Sequence, residues 1–254
     1  MPAIEKAAFA AFPQAEHRER LARARKSMQG AGISAIVAMG AENGYYLGGY
    51  ETWTAANGPQ ALIFTAGNDE PTLFLRNVDL NLALESTWLS DLRTYHLHAD
   101  DHAKMIADIV EQKGVKGGKV GIDLDAVGVS GGLTLAMIEA LRPLEVVDVT
   151  FLLGDLRLRK SPAEMAYLRE AAGYAAKGLA ATKTAMRIGR TEIAIAADVE
   201  YALRSAGSDY AAITTEFATG PRSPGGHAAA RERVLQAGEL GHFEFAGVSH
   251  RYHV

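Results

Sequence analysis

Four of the eight histidines, His227, His242, His250 and His253, lie in the last 28 residues. Histidine moves protons near neutral pH and is a common metal ligand, so this density marks where chemistry could sit. His227 ends the loop Thr219-Gly220-Pro221-Arg222-Ser223-Pro224-Gly225-Gly226. Glycine and proline fix a backbone path there without bulky side chains, which leaves room for a substrate beside His227. The alternative is a solvated loop histidine. His242-Phe243-Glu244-Phe245 follows. In a strand alternate residues share a face, so His242 and Glu244 point one way and the two phenylalanines the other. With the Phe face in the core, Glu244 is free to act as a base, a nucleophile or a cation anchor. The alternative is a polar outer strand face. His250-Arg251-Tyr252-His253 extends the alternation, pairing His250 with Tyr252 and Arg251 with His253. A metal set built from His-x-Glu and His-x-x-His matches no established ligand spacing.

A third segment is Tyr45-Tyr46-Leu47-Gly48-Gly49-Tyr50-Glu51-Thr52-Trp53, aromatic and punctuated by glycine. It reads either as a loop that lays Trp53 over a ligand, with Tyr50 beside it, or as core aromatics. Gly128-Val129-Ser130-Gly131-Gly132 lacks the Gly-x-Ser-x-Gly order of a nucleophile elbow. Gly114-Val115-Lys116-Gly117-Gly118-Lys119 lacks P-loop spacing, and both segments read as turns.

Composition narrows the classes. The chain has 254 residues, 48% hydrophobic and 22% charged, enough apolar content for a core and too little polarity for disorder. Lys+Arg (26) nearly balance Asp+Glu (30), and no basic stripe points to nucleic acid. Cysteine is absent, which removes disulfides, thiolate nucleophiles and Cys-ligated zinc. No apolar run of membrane-spanning length appears, and the first dozen residues lack the basic and apolar regions of a secretory signal. The expected location is the cytoplasm.

These residues need elements to position them. A helix over 14–30, ended by Gly30 and Gly32, precedes a buried strand at Ile33–Met39. Strands at Gln60–Phe64 and Thr72–Arg76 flank a turn at Ala66-Gly67-Asn68-Asp69, and a helix covers Val78–Trp88. A helix at Ala103–Gln112, with Asp101 as N-cap, a strand at Lys119–Asp123, a helix at Leu133–Leu141 and a strand at Glu145–Val149 follow. This alternation predicts an α/β domain. Ser161-Pro162-Ala163-Glu164 then spells a capping box with proline at the first helical position. A long Ala-rich helix over 162–187 and a second over Glu192–Ala206 precede strands at Ile213–Thr219 and His242–Val254, an α+β pattern.

Several motifs, in order, resemble the creatinase, prolidase and aminopeptidase P superfamily. Leu156-Arg157-Leu158-Arg159-Lys160-Ser161-Pro162-Ala163-Glu164 resembles the family's Arg-x-x-Lys-Ser/Thr-x-x-Glu lead into a long helix. Gly189-Arg190-Thr191-Glu192 resembles the start of the next helix, and Gly220 with His227 resembles its Ser-Gly…His segment. Gly238-Glu239 resembles a Gly-Asp turn and His242-Phe243-Glu244 the strand after it. Glu42 to Tyr50 resembles the Asn-x-x-Tyr-x-(Ser/Thr)-Gly-Tyr signature of the N-terminal domain. The resemblance implies an α/β N-terminal domain over 1–155, with a mixed sheet and flanking helices, then the first part of an α+β pita-bread domain over 156–254.

The departures decide the branch. Metal-dependent members have Asp where this chain has Glu244, and their second metal Asp falls eleven residues on, one position past Val254. Their remaining ligands, a His and two Glu, lie further along. The resemblance is greatest to the metal-free creatinase and ectoine-hydrolase-like branch, in Tyr50-Glu51-Thr52-Trp53 and in Glu244 through Arg251-Tyr252-His253, and it implies hydrolysis of a C–N bond with no cofactor. In that reading His227 is the general acid/base and Glu244 the nucleophile or base. Trp53, Tyr50, His242 and Tyr252 are substrate-binding. The resemblance also implies a homodimer acting on a small molecule or dipeptide, with no nucleic-acid or membrane partner. A metal-dependent Xaa-Pro peptidase holding two Mn, Co or Zn ions is the alternative, and a catalytically inactive binding module is another. The motif register further suggests a chain truncated within its second domain and inactive alone.

Overall fold

The computed structural model describes residues 5–52 and 58–254, which divide into two compact units, Met1–Arg159 and Lys160–Val254. In the first unit α1 (Gln14–Ala31) ends where Gly32 turns left-handed at φ 66° and returns its N–H to the last turn. Next come β1 (Ile33–Met39), α2 (Ala41–Gly48), β2 (Ala61–Thr65), β3 (Thr72–Arg76), α3 (Leu80–Ser86) and β4 (Asp91–Tyr95). The unit closes with α4 (His102–Gln112), β5 (Lys119–Ile122), α5 (Gly131–Ala140), β6 (Glu145–Asp148) and α6 (Thr150–Leu158).

The six strands form one mixed sheet in the order β4-β3-β2-β1-β5-β6. β2 pairs antiparallel with both β1 and β3, and the other neighbours are parallel. Alternation along β1 feeds two cores. Ile36 and Ala38 pack with Leu21, Met28, Tyr46 and Leu153 on one side. Ala35, Val37 and Met39 pack with Ile106, Val110 and Met137 on the other. Both faces are thus covered by helices, as a sheet rich in parallel pairs requires. Asp101 caps α4 by accepting from the Lys104 amide at 3.0 Å.

The second unit starts with α7 (Pro162–Ala185). Its capping box is complete: the Ser161 amide donates to Glu164 Oε2 at 2.7 Å, and the Glu164 amide donates to Ser161 Oγ at 3.3 Å. α7 packs on α8 (Glu192–Ser205) through a face of small residues. A Cβ at Gly178 would strike Phe245 and Leu203, so only glycine lets these elements approach. β7 (Glu216–Thr219) and β8 (Gly241–Glu244) form an antiparallel ribbon, and β9 (Val248–Ser249) and β10 (Tyr252–His253) a tight hairpin.

Three stretches differ from the sequence reading. The glycine-punctuated aromatic segment contributes to a helix, α2, whose Gly44 and Gly48 are both buried. α6 forms where only a connection was expected. The single strand expected over His242–Val254 breaks at His250 and Arg251, which adopt φ 47° and 67° and turn the chain back on itself. His250 and Tyr252 therefore do not continue one alternating face. Among the described residues no helix is long and apolar enough to cross a membrane.

Candidate functional site

The β7–β8 ribbon sets the geometry. Phe217 faces Phe243 across the strands, with ring centroids 4.2 Å apart, and both join a core with Ala185, Ile195 and Leu235. Burying that side turns the alternate residues to the other. There Glu216 stands directly opposite Glu244, and Ala218 opposite His242. One ligand atom each from Glu216, His242 and Glu244 lies within 4.8 Å of the other two. Glu216 is only 7% exposed, and among the described residues its Oε2 has no hydrogen-bond partner, whereas His242 and Glu244 are exposed. A buried carboxyl oxygen without a partner is costly.

His227 reaches the same ribbon by another route. The Phe217 amide donates to the Ala228 carbonyl at 3.0 Å, and Ala229 bridges Glu216. The backbone just after His227 therefore runs along β7 on the side away from β8. His227 itself is exposed in a left-handed conformation at φ 60°. Among the described residues it is not within the cluster formed by Glu216, His242 and Glu244.

One carboxylate fastens both ends of the loop that carries His227. Glu192, fully buried at the start of α8, accepts from the Thr219 amide and hydroxyl at 2.8 Å each, and from the Arg231 amide at 3.1 Å. Arg222 adds an ion pair. Burial pushes the Glu192 carboxyl up, but these hydrogen bonds outweigh it and hold the group below its ordinary value. Beneath the loop Arg233 pairs with Glu239 and donates to Thr219 Oγ1 at 2.6 Å. Gly220, at φ 55°, passes so close to that pair that a side chain would collide with it. Glu192 and Glu216 are the site residues that sequence reasoning did not single out. The sequence showed Glu192 only as a helix start and Glu216 only as part of a strand.

The remaining candidates are placed as follows. Tyr252 is half-buried, and its hydroxyl donates to Glu164 Oε1 at 2.8 Å. Tyr50 is 1% exposed within the core of the first unit, where burial pushes its phenol up. Trp53 lies outside the described residues. A cavity of about 250 Å³ lined by Arg204, Tyr210 and Ile213 extends along the chain to Thr215, one residue short of Glu216.

Comparison with known proteins gives two family matches. Residues 20–159 match the creatinase/prolidase N-terminal domain, and residues 166–254 match metallopeptidase family M24. The chain is 28% identical over 256 residues to the uncharacterized hydrolase/peptidase y4tL of Sinorhizobium fredii, covering 95% of this chain and 64% of that protein. It is 28% identical over 263 residues to the ectoine hydrolase of Halomonas elongata, with the same coverage of 95% and 64%. It thus spans 64% of the length of these curated relatives. The crystal structure of the prolidase from Pyrococcus horikoshii superposes with a TM-score of 0.76 at 21% identity, covering 92% of this chain and 62% of that one. At that identity the likeness speaks for the fold.

Proposed function

The chain belongs to the creatinase/prolidase family, with a creatinase-type N-terminal domain and M24-type sequence after it, and from that premise we propose a hydrolase that cleaves a C–N bond in a small molecule or dipeptide. The observation that carries the reading is Glu244 on the polar face of the β7–β8 ribbon, beside His242 and opposite Glu216. That face holds a carboxylate able to take a proton from water, and the backbone just after His227 flanks β7, the strand paired with the one that carries Glu244. In the proposed reaction Glu244 removes a proton from water as its oxygen bonds to the amide or amidine carbon. His227 then protonates the leaving nitrogen as the C–N bond breaks. Attack by Glu244 itself balances equally: its oxygen bonds to the carbon, His227 protonates the nitrogen as the C–N bond breaks, and water hydrolyses the mixed anhydride, or the imidic anhydride from an amidine, to return the carboxylate. We further propose a homodimer, as the family resemblance implies, and a cytoplasmic location, with which a chain free of cysteine is consistent.

A second reading, metal-assisted hydrolysis, is favoured by one specific feature: the unpartnered, buried Glu216 oxygen beside a second carboxylate and a histidine. Two oxygens and a nitrogen are a donor set that fits a divalent cation. When bound, such a cation polarises the scissile carbonyl and makes bound water more acidic. In that reading Glu216, His242 and Glu244 would hold the ion, and the loop fastened by Glu192 carries His227 as the proton donor to the leaving nitrogen.

The test is hydrolysis of ectoine, creatine and Xaa-Pro dipeptides by a preparation extending to the full length of its relatives. His227→Ala and Glu244→Gln are expected to lower kcat by roughly 100-fold or more, as loss of a general acid or base does. Unchanged turnover in both variants would overturn the assignment.

A further inference from the structure

The first unit gathers three buried polar atoms at one edge of its sheet. Arg76 and Tyr95 end β3 and β4 and stand opposite each other in that parallel pair. Arg76 alternates with Phe74, whose ring stacks on that of Tyr95 at 4.8 Å, so all three belong to the face that α4 covers. His102 opens α4 there, its ring centroid 4.4 Å from that of Tyr95. Arg76 Nε, the Tyr95 hydroxyl and His102 Nε2 are each buried, and among the described residues none has a hydrogen-bond partner. Tyr95 is fully buried, whereas Arg76 and His102 are half-buried, which puts the three atoms just beneath the surface.

The chemistry of these atoms says what fits among them. Burial pushes the Tyr95 phenol up to about 12, against the pull of the Arg76 guanidinium and with a further push from Asp79. The hydroxyl therefore keeps its proton and is a donor that needs an acceptor. Arg76 Nε–H is a second donor, carried on a cation. Arg20, Arg25 and Arg93 each pair with a carboxylate, but among the described residues Arg76 forms no ion pair. Gly58 adds a cradle: a Cβ there would lie 2.5 Å from the Tyr95 hydroxyl and fill the space before it. The carboxyl ends of parallel strands are also where open α/β sheets take ligands.

We propose that Arg76, Tyr95 and His102 bind the carboxylate of a small organic acid, at a site built wholly from residues of the first unit. Arg76 Nε–H and the Tyr95 hydroxyl each donate a hydrogen bond to it, and His102 donates a third from Nε2 in the tautomer that carries the proton there. The single negative charge matches the single guanidinium. A dianion such as phosphate would leave a second charge facing Asp79, so the site discriminates against it. Nothing in this site depends on the β7–β8 ribbon or on the hydrolase reading.

The experiment is titration of sodium acetate into the 254-residue chain at constant ionic strength, with sodium chloride as the blank and sodium phosphate as the competitor class. Binding is followed by the His102 ring resonances in NMR spectra and by the thermal midpoint, which a ligand of the folded state raises. A saturable shift at one site is expected. Arg76→Gln and Tyr95→Phe should each weaken it about 10-fold or more, the loss of a hydrogen bond to a charged group. Gly58→Ala should abolish it by filling the cradle. Arg93→Gln, exposed on β4 and equal in charge removed, is the control and should bind like the parent. Tyr95→Phe deletes only a hydroxyl without a partner among the described residues, so its midpoint in chloride should match or exceed the parent's and keep the test valid if Arg76→Gln fails to fold. No saturable binding to the parent chain, unchanged affinity in Tyr95→Phe, or phosphate binding more tightly than acetate overturns the site.

Discussion

Glu192 accepts both the backbone amide and the hydroxyl of Thr219, each at 2.8 Å, and so ties the first turn of α8 to the last residue of β7. The same carboxylate accepts from Arg231. The eleven residues between Thr219 and Arg231, His227 among them, are therefore strung between two points fixed to one buried side chain.

Replacing Glu192 with Gln is expected to release that loop. The amide keeps one acceptor but puts a donor where a donor already stands, leaving at least one buried N–H without a partner at a cost of about 1–3 kcal/mol. The thermal midpoint should fall. In a full-length preparation kcat should fall as well, because His227 loses its placement, while the unfolded fraction stays small at 20 °C. A variant with lowered stability and intact kcat would separate Glu192 from the positioning of His227. The pH dependence has a definite sign. The folded carboxyl titrates below its unfolded value, so its contribution is present above that value and fades as pH falls through the folded one.

Tyr252 offers a contrast between binding and bracing. Its hydroxyl donates to Glu164, whose other oxygen closes the α7 capping box. A hydrogen bond to a charged group contributes about 1.5–3 kcal/mol. Tyr252→Phe is expected to lower the thermal midpoint by several degrees and leave KM in a full-length preparation near the parent value. A raised KM with an unchanged midpoint would return Tyr252 to the substrate.

These residues also show what a sequence discloses. Local chemistry was readable: Asp101 and the Ser161/Glu164 pair cap the helices their spelling announced. Alternation correctly put His242 and Glu244 on one side of β8 and Phe243 on the other. Glu216 was not readable as their partner, because a partner across strands depends on register, and register between residues nearly thirty positions apart leaves no local mark. α2 was hidden because Gly44 and Gly48 weaken its helical propensity, and burial against the sheet compensates. The turn at His250 and Arg251 was hidden for the opposite reason. Two residues that disfavour positive φ adopt it, and no glycine or asparagine announces the reversal.

Gly247 is the most stringent packing position in the second unit. A Cβ there would meet the Ala171 carbonyl and the Ala175 amide of α7 far inside van der Waals contact, and both are backbone atoms that cannot rotate away. Gly247 also exchanges hydrogen bonds with Val254, at 2.9 and 3.0 Å, closing the β9–β10 hairpin. Gly247→Ala must push the hairpin off α7. The expected cost is at least about 1–3 kcal/mol, read as a lower urea midpoint for the second unit. An unchanged midpoint would show that hairpin and helix are not in contact in solution.

His17 makes the first unit sensitive to mild acid. It is 1% exposed on α1, with Nδ1 3.1 Å from the Tyr46 carbonyl. Burial lowers its pKa to about 4, and the nearby Arg20 guanidinium adds to that, against the opposing pull of the Tyr46 hydrogen bond. In the unfolded chain the group titrates near 6.5. Between those values the unfolded chain binds a proton that the folded chain refuses, so stability is full above about 6.5 and declines as pH falls toward about 4. The full decline is about 3 kcal/mol at 1.36 kcal/mol per unit. His17→Gln replaces the ring with a neutral amide able to donate to the Tyr46 carbonyl, so it should cost little at pH 7.5 and flatten the loss between pH 6.5 and 4.5. Urea unfolding of both proteins at those pH values checks it. Parallel declines in parent and variant would place the acid sensitivity on other groups.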